Sequence, residues 1–599
     1  MGKDAAANSH LVAALADLFG QETKSDCSIQ FYLEAPAADG DRGDEQAGGK
    51  VPLGPPLPAH SLILSLAAPE RFGTQLDRWV ESSPGDRPVL RVPLGSEAEL
   101  PAAHLAIRFA YTGHIHASSV REALEVLRAG DYLAIEGCAA ACSQWLADRV
   151  QEAPVANVGP SQPQAAAPDP PLLQLLACED LWPSSDARFQ EVMSAAKAHL
   201  VRYFSSTLEA LNVPSLRQQL EALPAAALEA LLESDDLGTD SEDSVLTLLA
   251  TWMRANWART DAATRKRLCD LVRLVQLSPS VTSCVLLSLA ADFESKGPEH
   301  EAGWFPISRS KAALVSCYHA CSPELQADMR EGRSPIGTPA WLKAGPRAQG
   351  LPLGGVALPW NISRAALRTA LEQLAQEGAP GEVENINKKV PAAFDGDQPY
   401  VLAGGYAWEA GVVAQRGKPN ASVYLECRAP EAYKVPGSSL AKRTALFPAI
   451  FGGRLVAYRW RDGDQEMAGY DTYGEIRPMF VGAARVKADA LPLVDTPVVL
   501  AAADPLAAWE PYLGSIGRII GAVMLIDRKA ERAAAKAAEA RAAAVARAAM
   551  FAGAQQAAAQ DDERGRAAMG NLRQLLAVLG AEEAPLAVIA PPPPPPPDN

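Results

Sequence analysis

The chain reads as a multidomain α+β protein. An N-terminal α/β domain is followed by an all-α domain and a C-terminal β-sandwich-like domain, then an Ala-rich helix and a disordered proline tail. Three observations predict this. The 599 residues exceed what one core accommodates, since single cores stop growing at roughly 250–300 residues. The apolar pattern changes period along the chain, from mixed to helical and then to short strand-like runs. Gly- and Pro-rich stretches fall near those changes.

Residues 1–150 form the first domain. Leu11, Leu15, Leu18 and Phe19 recur at helical spacing and give one apolar stripe. Cys27–Leu33 alternates and is rich in β-formers. Residues 35–57 are crowded with Gly, Pro and Asp and predict a loop. Helical patterning resumes at Ala59–Leu66 and dominates from Ala102 to about Val150.

A linker is expected over 151–188, where Pro, Gln, Ala and Gly are frequent at first, and a helical domain over 189–300. Within the latter, Thr239-Asp240-Ser241-Glu242 can start a helix, because a short side-chain oxygen caps the free amides of a first turn. Val245, Leu248, Leu249 and Trp252 supply its apolar face. Residues 301–385 read as a linker with helices, loose over 331–358 and helical over Ser363–Glu377.

The β-rich domain spans 386–528. Its strand-like runs are Tyr400–Ala403, Val412–Gln415, Ser422–Cys427, Leu455–Trp460, Ile476–Val481, Thr496–Ala501 and Arg518–Asp527, and only Ser422–Cys427 alternates cleanly. Residues 529–582 are an Ala/Arg/Glu/Lys-rich helical segment with few core-sized side chains, and 583–599 is a polyproline tail.

A net charge of −16 argues against direct nucleic-acid binding, which needs a basic face to release counterions. Nine scattered cysteines are no disulfide framework. No secretory leader is expected at the start, and no apolar run reaches the eighteen or so residues of a membrane span. The expected compartment is cytoplasm or nucleus.

Three ordered motifs then carry a resemblance. Ser25-Asp26-Cys27-Ser28-Ile29, Pro58-Ala59-His60-Ser61-Leu62-Ile63-Leu64 and Phe109-Ala110-Tyr111-Thr112-Gly113 resemble the signatures of the BTB/POZ family. The insertion at 35–57 departs from that pattern and obscures the second strand. Leu231–Trp252 and Leu271–Leu277 resemble the BACK domain that follows many BTB domains, with Gln276 at a position usually Arg. The β-rich end, with Gly404-Gly405-Tyr406-Ala407-Trp408 and Ile519–Asp527, is similar to the MATH-like domain of the plant light-response BTB group.

The resemblance implies a homodimer through the Leu11/Leu15/Leu18/Phe19 helix, although periodicity alone favours an internal core face. It implies structural roles for Asp26, His60, Tyr111 and Gly113. It also implies cullin-3 binding by Trp79-Val80-Glu81, the hydrophobic-x-Glu motif after the third helix. An exposed Trp beside a carboxylate suits a binding hot spot; the competing reading is a Trp half-buried on its own domain. The resulting expectation is a non-enzymatic adaptor that brings an unknown protein substrate to a cullin-3 ubiquitin ligase. The alternatives are a BTB scaffold or transcriptional co-regulator, or an enzyme carried on the β domain.

Nothing in the sequence favours the enzyme. Cys317-Tyr318-His319-Ala320-Cys321 has two thiols and an imidazole, whereas zinc takes four ligands. Cys138 and Cys142 read as small buried residues. The pairs Gly404-Gly405 and Gly452-Gly453 match no phosphate-binding motif and read as turns or bulges. No metal, cofactor or membrane partner is expected.

Overall fold

The computed structural model of the chain describes residues 9–33, 51–82, 87–151, 169–331, 342, 345–352, 354–376, 387–415, 420–442, 453–461, 464–467, 488–492, 504–526, 536–549 and 570–575. It separates into a unit of residues 1–352 with 356–525 and a unit of residues 353–355 with 526–599. In the second unit, helix 536–549 has every side chain exposed and a short helix covers 570–575. The polyproline tail lies outside the described residues, as do Ile476–Val481 and Thr496–Ala501.

In the larger unit the alternating Cys27–Leu33 run forms β1, the middle strand of a three-stranded sheet. β2 (Val51–Ala59) pairs with it antiparallel and β3 (Val89–Leu94) parallel. The loop expected over 35–57 is therefore corrected at its end, where residues 51–57 are strand. Pro52, Pro55, Pro56 and Pro58 hid it. Prolines are tolerated in an edge strand, whose outward amides need no partner, and β2 is at the edge.

Helix α1 (Ser9–Asp17) precedes this sheet. The next, α2 (Ser61–Ala67), starts later than the sequence suggests, because Ala59 still pairs with Cys27. α3 (Thr74–Ser82), α4 (Leu100–Thr112), α5 (Val120–Tyr132) and α6 (Cys138–Gln151) follow. Cys138 and Cys142 are fully buried on α6.

The all-α region runs from α7 (Pro171–Ala177), inside the expected linker, through α8 (Ala187–Phe204), α9 (Thr207–Asn212), α10 (Pro214–Ala222) and α11 (Ala225–Glu233). α12 (Glu242–Asn256) is capped by Ser241, whose hydroxyl accepts the Ser244 N–H. Val245, Leu248, Leu249 and Trp252 are buried, and so is most of the rest of α12, which makes it the central helix. The Trp252 indole donates to the Leu223 carbonyl at 2.8 Å. α13 (Ala262–Asp270) leads to α14 (Pro279–Val281), which continues through a π turn into α15 (Leu287–Lys296). α16 (Arg309–Ala320) and α17 (Pro323–Arg330) complete the region.

The β-rich region begins before residue 386. β4 (Val356–Ser363), within and just after a stretch that reads as loose, sits inside an antiparallel sheet of order β11–β10–β13–β4–β6. The other strands of this sheet are β6 (Ala393–Phe394) and β13 (Arg518–Leu525), which flank β4, and β10 (Gly453–Arg461) and β11 (Asp464–Met467) beyond β13. α18 (Arg364–Gln376) packs on β4 and on β5 (Asn387–Pro391). β5 belongs to a second antiparallel sheet with β8 (Tyr406–Gln415), β9 (Asn420–Arg428) and β12 (Ala488–Pro492); β7 (Val401–Ala403) also pairs with β8. Two short helices, α19 (Ser439–Lys442) and α20 (Glu510–Leu513), fill the connections. Despite its alternating sequence, Ala421–Cys427 is buried on both faces; Glu426 is accommodated by an ion pair to Lys389.

Candidate protein-interaction site

The start of α2 shows why the N-terminal motifs occur together. The first amides of a helix have no partner inside it, and His60, at the cap position, offers no side-chain bond. Asp26, at the entry to β1, accepts the Ser61 N–H at 2.7 Å and its hydroxyl at 2.5 Å. What burial Asp26 has works to raise its pKa, but the bonds from the Ser61 side chain and backbone prevail and hold it below the usual value. The Tyr111 hydroxyl accepts the His60 N–H at 3.0 Å and shares a 3.2 Å bond with His60 Nδ1. Burial pushes the Tyr111 phenol up to about 12, so it keeps its proton. Gly113, at φ +65°, ends α4 in the left-handed conformation that favours glycine. Asp26, His60 and Tyr111 thus fasten α2 to β1 and α4.

Of the apolar stripe, Leu15, Leu18 and Phe19 are half-buried. Phe19 sets its edge against Tyr111 with ring centroids 5.7 Å apart. Leu18 and Phe19 also pack on the core of the larger unit. The Leu11 side chain lies outside the described residues. Trp79, on α3, is half-buried and its indole nitrogen is shielded from solvent. The side chains of Val80 and Glu81 lie outside the described residues.

Sequence reasoning missed Leu62 and Leu66, one turn apart on α2 and 69% and 70% exposed. A signal was present. Five of the seven residues of Ser61–Ala67 are apolar while Leu64 is its one buried residue, so apolar surface is left over.

The helical and β-rich regions meet through polar contacts at helix ends and turns. Gly404 and Gly405 form the turn between β7 and β8 with φ of +57° and +77°, as a tight hairpin requires. Gly404 N–H donates to Asp240 Oδ2 at 2.7 Å. A Cβ on Gly405 would lie 2.7 Å from that of Asp243. The Asn212 amide bonds both the N–H and the C=O of Leu402, at 2.6 and 2.8 Å. Thr247 and Tyr433 share a 3.1 Å hydroxyl bond, and Asp292 accepts the Ser439 N–H at 2.9 Å. Arg347 crosses the helical region, with Nε 3.0 Å from Glu242 Oε2 and Nη1 donating to the Ser234 carbonyl at 2.8 Å.

Among the described residues, no group of three or more His, Cys, Asp or Glu side chains is placed to hold a metal, and no helix is long and apolar enough to cross a membrane. Cys317 is exposed and Cys321 half-buried.

The BACK family model, "BTB And C-terminal Kelch", matches residues 187–286, from the first residue of α8 to the end of the π turn. The chain is also similar to a BTB/POZ domain-containing protein of Arabidopsis thaliana, 26% identical over 158 residues. That match takes in 25% of this chain and 23% of the relative, so it spans about a quarter of each. The two matches support a BTB–BACK protein.

Proposed function

We propose that this chain is the substrate-recognition adaptor of a cullin-3 RING E3 ubiquitin ligase. The observation that carries the reading is the BACK match at residues 187–286, directly after a strand-and-helix module whose α2 is held by Asp26 and Tyr111. In this reading the N-terminal domain dimerises through α1 and the exposed leucines of α2. Trp79-Val80-Glu81 meets the cullin, the BACK region extends that contact, and the β-rich, MATH-like region captures a protein substrate. The chain performs no chemistry itself; it raises the substrate's effective concentration at the ligase.

A pull-down from the full-length protein tests the docking mode. It is expected to retain cullin-3, and Trp79→Ala combined with Glu81→Ala is expected to cut retention about tenfold or more, as loss of a hot-spot anchor does. Undiminished retention in the double variant would sink that docking mode. The half-buried indole of Trp79 favours a second reading, a BTB scaffold or transcriptional co-regulator that recruits no cullin. Absence of any capture at micromolar protein would select it.

A further inference from the structure

The thiols of the Cys317-Tyr318-His319-Ala320-Cys321 motif are unused in the adaptor reading. Of the nine cysteines, Cys317 alone is exposed, Cys284 and Cys321 are half-buried and six are buried. Cys317 and Cys321 lie one turn apart at the end of α16. The Cys321 thiol turns back along the helix and donates to the Cys317 carbonyl at 3.2 Å. Cys321 is the C-cap of α16, with an extended ψ of 155°, so the helical ladder does not hold it in place.

Cys321 also helps to seat α17. It packs against a small apolar cluster of Val275, Tyr318, Met329 and Leu342, separate from the main core. Met329 is the one buried side chain of α17, and Ser322, the residue after Cys321, caps that helix. Gln326 of α17 donates to the Tyr318 and Cys321 carbonyls at 3.0 and 3.2 Å. Residues four apart on a helix have β-carbons about 5–6 Å apart, whereas a disulfide needs about 3.5–4.5 Å. The two sulfurs therefore join only if Cys321 moves about 1–2 Å towards Cys317. Its place outside the ladder permits that move, which draws it away from the apolar cluster and from Gln326.

We propose that Cys317 and Cys321 form a reversible disulfide on exposure to hydrogen peroxide, and that closing it releases α17. The exposed Cys317 thiolate attacks one peroxide oxygen. The O–O bond breaks, Cys317 becomes a sulfenic acid, and hydroxide leaves and takes the Cys317 proton as water. The Cys321 sulfur then attacks the Cys317 sulfur. The S–S bond forms, the S–O bond breaks, and the second hydroxide leaves with the Cys321 proton as water. Two thiols thus lose two electrons and two protons, and one peroxide becomes two waters. A dithiol reductant reopens the bond by exchange.

The test treats the full-length protein with a slight excess of hydrogen peroxide and then alkylates the remaining thiols. Trypsin releases residues 312–330 as one peptide that carries both cysteines. By mass spectrometry that peptide is expected to have lost two hydrogens, with neither thiol alkylated. Hydrogen exchange of residues 323–330 is expected to quicken about tenfold or more on oxidation and to be restored by dithiothreitol. In Cys321→Ser, Cys317 is expected to stop at a sulfenic acid that dimedone traps, and exchange at 323–330 to ignore peroxide. Should that substitution loosen α17 by itself, the oxidised and reduced forms of the unaltered protein decide. Oxidation that stops at Cys317 in the unaltered protein, or joins it to a different cysteine or a second chain, overturns the proposal. So does a closed disulfide that leaves exchange at 323–330 unchanged.

Discussion

Asp243 is 3% exposed at the start of α12, where its carboxylate accepts the Ser278 N–H at 2.8 Å. Burial pushes its pKa up to about 7; the bonds from Ser278 oppose this and the charges of Asp240 and Glu242 add to it. The folded chain therefore binds more protons than the unfolded chain between about pH 4 and pH 7. Stability from this group falls as pH rises through that window, and the cost is complete above it. Asp243→Asn is expected to raise the melting temperature relative to the parent more at about pH 8 than at about pH 5. An equal shift at both would show that this carboxyl does not titrate there. Individual residues were unequally legible. Asp26, His60, Tyr111 and Gly113 could be picked out because short motifs spell them, but their shared task at one helix end required the distance from Asp26 to Ser61. The Trp79 letter says nothing about how much indole the fold covers.

Helices announced themselves better than strands. The Ser241 cap and the apolar face after it were plain in the sequence, since helical signals lie within a few residues. β2 was masked by its prolines, and β3 and β4 are short runs bordered by Gly, Pro and Asp. Ser422–Cys427 alternates in sequence, yet both of its faces are covered. The β7–β8 turn offers a graded test. Gly404 and Gly405 both have positive φ, but a Cβ on Gly404 meets nothing within 4 Å while one on Gly405 meets Asp243. Gly404→Ala is expected to cost about 1 kcal/mol for its backbone conformation, and Gly405→Ala more, by chemical denaturation. Equal losses would mean that the hairpin does not press on α12. On α2, Leu62→Asp with Leu66→Asp is expected to leave the circular dichroism unchanged and to shift the species seen by light scattering from dimer to monomer. A dimer that persists would place self-association elsewhere.

Within the larger unit, the helical and β-rich regions share Asn212–Leu402, Asp240–Gly404 and Thr247–Tyr433, contacts spanning more than a hundred residues of sequence. No local pattern encodes such pairings, so a composition change near residue 386 suggested a boundary, whereas β4, wholly ahead of it, already belongs to the β-rich region. Scanning calorimetry is expected to show these regions melting in one transition, and Asn212→Ala with Asp240→Ala to split it in two. Two transitions in the parent would show that the shared bonds do not couple them. A last consequence concerns crowding at an assembly where many such chains gather. Four of the nine positions of β2 are proline, so no unbroken ladder can be laid along that margin. At the opposite margin the Pro93 carbonyl is occupied by the Tyr132 hydroxyl at 2.8 Å. Neighbouring N-terminal sheets are thereby kept from fusing into a ribbon, and contact between them falls to side chains, which come apart again.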